Sequence, residues 1–469
     1  MLEQTTISSA SPLVGHAQYA VALIEPSARE ILVRPRANGW SLPTVSIPQG
    51  ARACVRFREV AKSEWRVTAH VLEFAIDGDC PSLIVAEAQD IGQQSGLAPV
   101  PLSALASSEL SRSQQASIEH LLWVDDASVI VPGRLGWLEQ AVEWVETTTN
   151  SRLLTTGDVL QLNAGHGFAL LRFAMADGSK YWLKATGFPN AHEYEITRYL
   201  SGSADSLSAQ KRPISRLIAL KPEWNAWLME DAGPSISEQL EDTNGSSIAL
   251  QSSLSGLLRL QRMTIGKSEC LLQAGAFDQR WAIWSALRGE LFEHIIEAMA
   301  QQTSTKVPSV SAERLRMVQE LFALACDEVE NLGLPATVVH GDLSRNNILV
   351  GSSCHFVDWS EAYLGCPLAN FAHILMLNRA QDPQLHMGLN KSLAHAYCDG
   401  WSDWVDPKRL AEALKYAPMI GAFSALHGRG DWLDTADRND PRRLAYSRTL
   451  GRYLDRAAQD LEAGDSSCL

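Results

Sequence analysis

The sequence has no stretch of about 18 consecutive apolar residues, so no membrane-spanning helix is expected. Residues 1–15 carry no Lys or Arg ahead of a hydrophobic run, which argues against a signal peptide. The 8 cysteines include no C-x-x-C pair, which disfavours both a structural zinc site and a redox motif. We therefore expect a cytoplasmic protein whose cysteines are reduced thiols and which has no membrane partner.

The sequence also has few basic residues relative to acidic ones. It contains 40 Lys and Arg and 54 Asp and Glu, which gives a formal net charge of -14. A protein that binds nucleic acid or an anionic membrane needs a basic surface that displaces counterions. No nucleic-acid partner is expected, whereas a neutral or cationic ligand is easily accommodated. The 46% apolar and 20% charged residues are typical of a folded globular protein, and 469 residues imply two or three domains.

Three regions of the chain differ in their apolar patterns. Residues 16–90 mix short apolar runs with Pro and Gly turns, and the polar stretch 91–117 predicts a loop or linker. From about residue 153, three strands precede a helix, which is the order of a kinase small lobe, and the remainder is mostly helical. We predict an α+β chain with a bilobal protein-kinase-like fold, made of a small α/β N-terminal domain (1–134), a small β-rich lobe (135–232) and a large helical lobe (233–469).

A polar loop directly before an apolar strand carries the strongest chemical signal. It reads His340-Gly341-Asp342 and places Asn347 five residues after the aspartate, the H-x-D-x-x-x-x-N arrangement. Phosphoryl transfer has a loose transition state, so the protein mainly needs a carboxylate that orients the acceptor hydroxyl and oxygen ligands that hold metal against the phosphates. Asp342 and Asn347 supply both.

The strand after this loop is expected to form a hairpin with the next one. The apolar runs 348–350 and 355–357 flank a four-residue connection of Gly, Ser and Cys that suits a hairpin turn. A turn centred on the middle pair of that connection places Asn347 opposite Asp358. Residues opposite each other on one face are close enough to share a metal–phosphate cluster, and such oxygen ligands suit Mg²⁺.

The second strand ends in Val357-Asp358-Trp359, and here the chain resembles the aminoglycoside phosphotransferase and choline kinase superfamily. The signature of that superfamily is H-G-D-x-x-x-x-N followed by an apolar strand pair that ends in I-D-W or similar. The resemblance extends over about residues 153–460. It implies a small-molecule kinase in which Asp342 is the catalytic base and in which Asn347 and Asp358 bind metal.

The same resemblance extends into the small lobe. Lys184, at the end of Y-W-L-K, looks like the phosphate-binding lysine, and Glu193 on the following helix looks like its partner, with Glu195 as the alternative. Two glycines would form the turn that covers the phosphates, where backbone N–H groups approach the nucleotide. The expected catalytic residues are Asp342, His340, which supports the loop, and Arg345. The expected metal-binding residues are Asn347 and Asp358. The expected nucleotide-binding residues are Lys184, Glu193, Gly165, Gly167, Glu230 and Ala232, and of these Glu230 and Ala232 contact the nucleotide base.

The resemblance implies ATP or GTP as phosphate donor, Mg²⁺ as cofactor and a small-molecule hydroxyl as acceptor. Two acceptor classes stay open: an antibiotic such as an aminoglycoside or other glycosylated natural product, which would make this a resistance enzyme, and an amino alcohol or sugar metabolite. Five aspartates lie close in sequence to three tryptophans in the helical C-terminal part. The aspartates are Asp399, Asp403, Asp406, Asp431 and Asp434, and the tryptophans are Trp401, Trp404 and Trp432. Such a combination would suit an amine-bearing acceptor through charge pairing and cation–π contact.

The N-terminal region resembles a Nudix hydrolase domain at 40–43, at 47–50 and at Arg58-Glu59-Val60. Lys62 and Ser63 stand where a working Nudix box needs a Glu pair, so we expect a degenerate, non-catalytic domain that shapes the acceptor site or mediates homodimerisation. An alternative function for the whole chain is a pseudokinase that binds nucleotide or a partner protein without transfer. A protein kinase is disfavoured, because no A-P-E signature follows Asp358.

Overall fold

The chain forms two units, Met1–Tyr194 with Leu217–Asp231 and Glu195–Arg216 with Ala232–Leu469. The structure is a computed structural model. It describes residues 15–75, 82–92, 95–106, 108–123, 131–154, 159–165, 167–205, 207–208, 211–239, 243–351 and 353–464. The division into three domains at residues 134 and 232 stays a prediction.

The first unit begins with a mixed sheet. Among the described residues, seven strands form it in the order β3-β2-β1-β6-β5, with β4 paired to β1 and β7 paired to β2. The β1–β6 pair is parallel and the others are antiparallel. The elements are β1 (His16–Glu25), β2 (Glu30–Arg36), β3 (Gly39–Ser41), β4 (Thr44–Pro48), α1 (Ala53–Glu64), β5 (Val67–Ala75), β6 (Ser82–Ile91), β7 (Ala98–Val100) and α2 (Arg112–Trp123).

Helix α1 covers one face of this sheet because its apolar residues recur at helical spacing. Cys54, Phe57 and Ala61 are buried and pack against Val67 and Val71 of β5. The predicted loop over 91–117 is wrong in part, since β7 and the start of α2 lie within it. Ser113 and Gln115 at the start of α2 are exposed and Gln114 is buried, so the first buried apolar residue of the helix, Ile118, lies beyond the predicted loop.

A second sheet completes the first unit. Five strands of the described chain form it in the order β11-β12-β10-β9-β8, all antiparallel. One of its faces packs against helix α3 through Trp137, Ala141 and Val145. The elements are α3 (Trp137–Thr149), β8 (Val159–Gly165), β9 (Phe168–Ala174), β10 (Lys180–Ala185), β11 (Leu217–Lys221) and β12 (Ala226–Glu230). Helix α4 (Glu193–Ser203) begins in this unit and belongs from Glu195 onward to the second.

The second unit is mainly helical. Its strands form a three-stranded sheet in the order β13-β17-β14 and a hairpin of β15 and β16. The elements are α5 (Ile236–Gln239), α6 (Thr243–Met263), α7 (Ser268–Gln273), β13 (Phe277–Gln279), α8 (Trp281–Ala300), α9 (Ala312–Glu330), β14 (Thr337–Val339), β15 (Ile348–Val350), β16 (Cys354–Phe356), β17 (Tyr363–Gly365), α10 (Leu368–Met376), α11 (Pro383–Gly400), α12 (Pro407–Ala413), α13 (Ala417–His427) and α14 (Pro441–Glu462).

Three of these helices begin with the same Asp-Pro signal. The carboxylates of Asp382, Asp406 and Asp440 accept hydrogen bonds from backbone N–H groups of the first turns of α11, α12 and α14, and proline follows each as the first helical residue. Proline suits this position because the missing N–H would have no partner within the helix. The core between the helices contains Trp284, and the stacked rings of Phe322 and Phe423 lie 4.2 Å apart.

The structure confirms the predicted α+β class, with a β-rich N-terminal region and a helical C-terminal region. Among the described residues, no helix combines the length and apolarity needed to cross a membrane. The six described cysteines are free thiols, and Cys80 and Cys468 lie outside the described residues.

Candidate active site

The loop that follows β14 is held in place by His340. The His340 backbone N–H donates to Asn370 Oδ1 at 3.0 Å, and its Nε2 donates to the Val357 carbonyl oxygen at 2.9 Å. The ring packs against Trp359 with centroids 4.5 Å apart, and the residue is 1% exposed. His340 therefore ties the start of the loop to the chain just before Asp358. This position is that of a supporting residue, and the predicted catalytic role of His340 stays a prediction.

Gly341 allows the loop to approach the chain after Asp358 closely. Its φ is +74°, and a Cβ built on it would lie 1.9 Å from the carbonyl oxygen of Glu361. A backbone atom cannot rotate away as a side chain can, so no other residue fits here without moving the loop. The glycine in H-G-D is thus required by packing.

Asp342 and Asn347 are in direct contact. The Asn347 Nδ2 donates to the Asp342 carbonyl oxygen at 2.9 Å and to Asp342 Oδ2 at 3.1 Å. The loop between them turns tightly, since the Asn347 backbone N–H donates to the Ser344 carbonyl oxygen at 3.1 Å. Because the amide nitrogen makes both bonds to Asp342, the amide oxygen is the atom with which Asn347 can bind a cation.

The environment of Asp342 raises its pKa from 3.8 to about 6. The largest cause is desolvation, followed by the negative charges of Asp358 and Glu361, while the hydrogen bond from Asn347 acts in the opposite direction. Although residue 342 is exposed as a whole, enough protein surrounds its carboxylate for desolvation to dominate. The carboxylate is ionised at neutral pH and remains a better proton acceptor than an ordinary aspartate.

The predicted register of the hairpin is wrong by one residue. Val350 pairs with Cys354, so three residues rather than four separate the strands, and Val357 donates its N–H to the Asn347 carbonyl oxygen at 3.1 Å. Asn347 therefore faces Val357, and Asp358 follows with a φ of +70°. The Asp358 Oδ1 accepts a hydrogen bond from Ser360 Oγ at 3.2 Å. Asp358 still lies close to Asp342 and Asn347, and its negative charge raises the pKa of Asp342. We call Asp342, Asn347 and Asp358 the carboxylate cluster.

Arg345 lies on the same loop and is half-buried. Its backbone carbonyl accepts a hydrogen bond from Ser237 at 3.3 Å, and burial together with the nearby Arg379 lowers the pKa of its side chain. Two positive charges near each other would suit an anion, but the predicted catalytic role of Arg345 is not tested by these contacts.

Three residues near Asp342 were not predicted from the sequence: Glu361, Arg429 and Tyr446. The Glu361 carboxylate binds the Arg429 guanidinium through Nη2 at 2.9 Å and Nε at 3.2 Å. Tyr446 on α14 has its pKa raised to about 12, mainly by burial and then by the charge of Asp342. Glu361 follows Asp358 by three residues and could have been noticed. Nothing near Arg429 or Tyr446 resembles a motif.

In the first unit, Lys184 on β10 is paired with Glu193 on α4. Lys184 Nζ lies 2.6 Å from Glu193 Oε1, and the two side chains are 6% and 1% exposed. The lysine also lies 5.6 Å from the ring of Phe168 and 5.8 Å from that of Trp227. Glu195, the alternative partner, binds Arg198 instead. The nucleotide-binding role of the pair stays a prediction.

The expected phosphate turn connects β8 and β9. Gly165 pairs with Phe168, Gly167 has a φ of +74°, and His166 between the glycines lies outside the described residues. Gly165 has open space where a Cβ would be. Of the two residues expected to contact the base, Glu230 ends β12 opposite Tyr181, and the carbonyl oxygen of Ala232 would lie 2.6 Å from a Cβ on Gly351.

The chemistry of the donor set fits Mg²⁺. Within the described residues, no group of three or more His, Cys, Asp and Glu side chains could hold a metal ion. Asn347 and Asp358 offer a small set of oxygen donors, which suits a cation that keeps several waters and also binds phosphate oxygens. The crowding of Asp342, Asp358 and Glu361 that raises the pKa of Asp342 is a negative potential that a divalent cation would neutralise.

The acidic and aromatic residues expected to line the acceptor site have mostly structural contacts. Asp406 caps α12, and Asp403 binds Arg262 at 2.6 Å. Trp401 and Trp432 are buried, and Trp404, which is 41% exposed, is covered by Arg262. Asp399 lies 3.4 Å from His395. These contacts give no support to an acceptor site at 399–406.

Comparison with known proteins gives one family and several distant structures. Residues 239–412, a little over a third of the chain, match the phosphotransferase enzyme family (APH). No curated protein matches the chain. Similar solved structures are the macrolide 2'-phosphotransferase MphH from Brachybacterium faecium (13% identity, 68% of this chain and 97% of that one, TM-score 0.42), an ethanolamine kinase from Plasmodium vivax (14%, 76% and 96%, 0.43) and a spectinomycin phosphotransferase in complex with ADP and spectinomycin (13%, 68% and 98%, 0.37).

These structures are at most 14% identical to the chain and align with it at TM-scores below 0.5. The family match is different, because the matched segment contains the loop from His340 to Asn347 and also Asp358, the residues from which the resemblance was inferred. That resemblance is confirmed. Residues 239–412 are therefore similar to the phosphotransferase enzyme family over a segment that contains these residues.

Proposed function

We propose that this protein transfers the γ-phosphate of ATP or GTP to a hydroxyl group of a small molecule in a Mg²⁺-dependent reaction. One observation carries the proposal: Asn347 binds the Asp342 carboxylate directly, and Asp358 lies close enough to raise the pKa of that carboxylate. This cluster contains the three groups that phosphoryl transfer requires, a proton acceptor and two oxygen ligands.

Asp342 acts on the acceptor hydroxyl. Its carboxylate accepts a hydrogen bond from the hydroxyl and takes the proton as the hydroxyl oxygen forms its bond to the γ-phosphorus. The bond between the γ-phosphorus and the β–γ bridging oxygen breaks, and the nucleoside diphosphate leaves with the electron pair. A pKa of about 6 keeps the carboxylate ionised at pH 7 while placing it near the operating pH, where general-base catalysis is most efficient.

Asn347 and Asp358 would hold Mg²⁺ through their side-chain oxygens. Bound there, the cation neutralises charge on the β- and γ-phosphates. The contacts of Asn347 with Asp342 fix the orientation of both side chains, so that base and ligand are positioned before substrates bind. Lys184, held by Glu193, would bind phosphate oxygens as a fixed positive charge.

An amine-bearing acceptor is favoured by the charges around Asp342. The charges of two further carboxylates, Asp358 and Glu361, raise the pKa of Asp342, and Glu361 is paired with Arg429. A cationic acceptor, such as an aminoglycoside or an amino alcohol, would be attracted to these carboxylates, whereas a neutral sugar would not.

The decisive experiment is a transfer assay on the purified full chain. The protein would be incubated with Mg²⁺, with ATP or GTP, and with a panel of aminoglycosides, amino alcohols, macrolides and sugars, and products would be detected by mass spectrometry as a gain of one phosphoryl group. Asp342→Asn should lower kcat by about 10² to 10⁴, because it keeps the shape and removes the base. Asp327→Asn, an exposed substitution on α9, is the matched control and should leave kcat unchanged.

Two results would count against the proposal. Transfer that survives in Asp342→Asn would exclude that residue as the base. Nucleotide binding without transfer to any acceptor in the panel would favour the alternative function, a pseudokinase that binds nucleotide or a partner protein.

A further inference from the structure

Strand β8 is the edge strand of the five-stranded sheet and leads directly into the glycine turn. Among the described residues, β9 is the one strand that pairs with it. Helix α1 and strand β5, both from the N-terminal mixed sheet, contact β8 within the same unit. The N-terminal region therefore lies against the strand on which the turn depends.

Gln161 provides the central contact of this interface. Its Nε2 donates to the Val71 carbonyl oxygen at 2.8 Å, and its Oε1 accepts from the Val71 backbone N–H at 2.8 Å. The side chain is completely buried. The amide thus satisfies both backbone polar groups of a residue on β5, as a neighbouring strand would. A buried amide that makes two bonds of this length fixes β8 relative to β5.

Arg58 of α1 provides the second contact. Its Nη2 donates to the Val159 carbonyl oxygen at 2.7 Å on β8, and its Nε donates to the Ala69 carbonyl oxygen at 3.0 Å on β5. One rigid guanidinium therefore joins the two strands. Burial lowers the pKa of Arg58, which shows how far its guanidinium is withdrawn from water.

The third contact lies next to the turn itself. Ala164, the residue before Gly165, is 8% exposed and packs in the same hydrophobic cluster as Cys54, Phe57 and Ala61 of α1. The Cys54 side chain also interacts with the backbone of Ala164. Contacts at 159, 161 and 164 thus hold β8 at its beginning, its middle and its last residue before the turn.

We propose that the N-terminal region is a positioning element for nucleotide binding, which holds the Gly165–Gly167 turn through β8 by means of Arg58 and Gln161. This inference rests on the proposed function, because it assigns the turn to the phosphates. The physical reason is pre-organisation: a turn whose entering strand is fixed does not have to be ordered when the nucleotide binds. Neither residue needs to touch the nucleotide.

The test compares three variants of the full chain. Gln161→Met and Arg58→Met remove the polar contacts and keep the length of the side chain, and Arg56→Met is the matched control, because Arg56 is exposed on the same helix and binds only Glu59 in the described structure. We expect KM for the nucleotide, and its Kd in the absence of acceptor, to rise about tenfold in the first two variants, with KM for the acceptor unchanged. Arg56→Met should match the wild-type protein. Hydrogen exchange of residues 159–170 should become faster in the same two variants.

The outcomes separate this proposal from the proposed function. If the wild-type protein transfers phosphate and the variants lose thermal stability while both KM values stay unchanged, the contacts are merely structural and the inference is overturned. If the variants prove too unstable to purify, Arg58→Lys, which keeps one donor, is measured instead. A nucleotide KM above the wild-type value, with an unchanged KM for the acceptor, supports the inference. A wild-type KM for the nucleotide overturns it. If the wild-type protein binds no nucleotide, the proposed function fails first and this inference fails with it.

Discussion

In the proposed mechanism, replacing Glu361 would move the pH dependence of the reaction without changing Asp342, the proposed base. The pKa of Asp342 is raised to about 6 by desolvation, then by Asp358 and then by Glu361. Because only the carboxylate can accept the hydroxyl proton, kcat/KM should fall tenfold per pH unit as the pH drops below about 6. An ordinary aspartate would lose activity only near pH 4.

Glu361→Gln should move this acid limb to lower pH. The pKa of Asp342 is raised by about two units in all, and Glu361 is the third of the three causes, so its removal should lower the pKa by roughly half a unit. The substitution also removes the negative charge that is paired with Arg429, so the positive charge of Arg429 acts in the same direction. At pH 5 the ionised fraction of Asp342 would rise about 2.5-fold.

The assay is kcat/KM for the nucleotide between about pH 4.5 and 8, with each protein normalised to its own plateau, because this ratio reports the pKa values of the free enzyme. Glu328→Gln, at an exposed position on α9, is the control for the loss of one negative charge. Its pH profile should coincide with that of the wild-type protein. Acid limbs that coincide for Glu361→Gln and the wild type, or a limb moved to higher pH, would refute the reasoning.

Two further predictions concern stability. Glu193→Ala should lower the free energy of unfolding by about 3–5 kcal/mol, because it leaves Lys184 charged and buried, whereas Glu195→Ala removes an exposed pair and should cost less than about 1 kcal/mol; equal losses in urea denaturation would contradict this. Gly341→Ala should cost more than about 2 kcal/mol and abolish transfer, since its Cβ would overlap a backbone carbonyl oxygen, while Gly289→Ala in an open helical position should gain about 0.5–1 kcal/mol; a wild-type melting curve for Gly341→Ala would show that the loop can move.

The loop from His340 to Asn347 was predictable because its residues are close in sequence. Asp342 and Asn347 contact each other across five residues, and the glycine between His340 and Asp342 marks the tight approach. Strands β8, β9 and β10 and the helix that follows them were also predictable, since their apolar runs are bounded by turns. The register of the hairpin was not, because a connection of Gly, Ser and Cys permits a three-residue turn as readily as a four-residue one, and one residue of slip changes every pairing.

Contacts between distant residues could not be read from the chain. Arg429 and Tyr446 come to the site from 68 and more residues beyond Glu361, and no local pattern distinguishes them from other residues of the helices. Gln161 looks like an ordinary polar residue of an alternating strand, where it would be expected to face water, and it is instead completely buried against β5. Its burial depends on a partner ninety residues away.

The covered edge of β8 has a consequence for expressing the chain without its N-terminal region. A fragment beginning near residue 135 would lose α1 and β5, and the apolar and hydrogen-bonding surface of its outermost strand would be open to a second molecule. Bare strand edges of this kind invite intermolecular pairing. Such a fragment should precipitate or self-associate. A loss of activity in it would then result from the uncovered edge of β8 and not from a missing catalytic group.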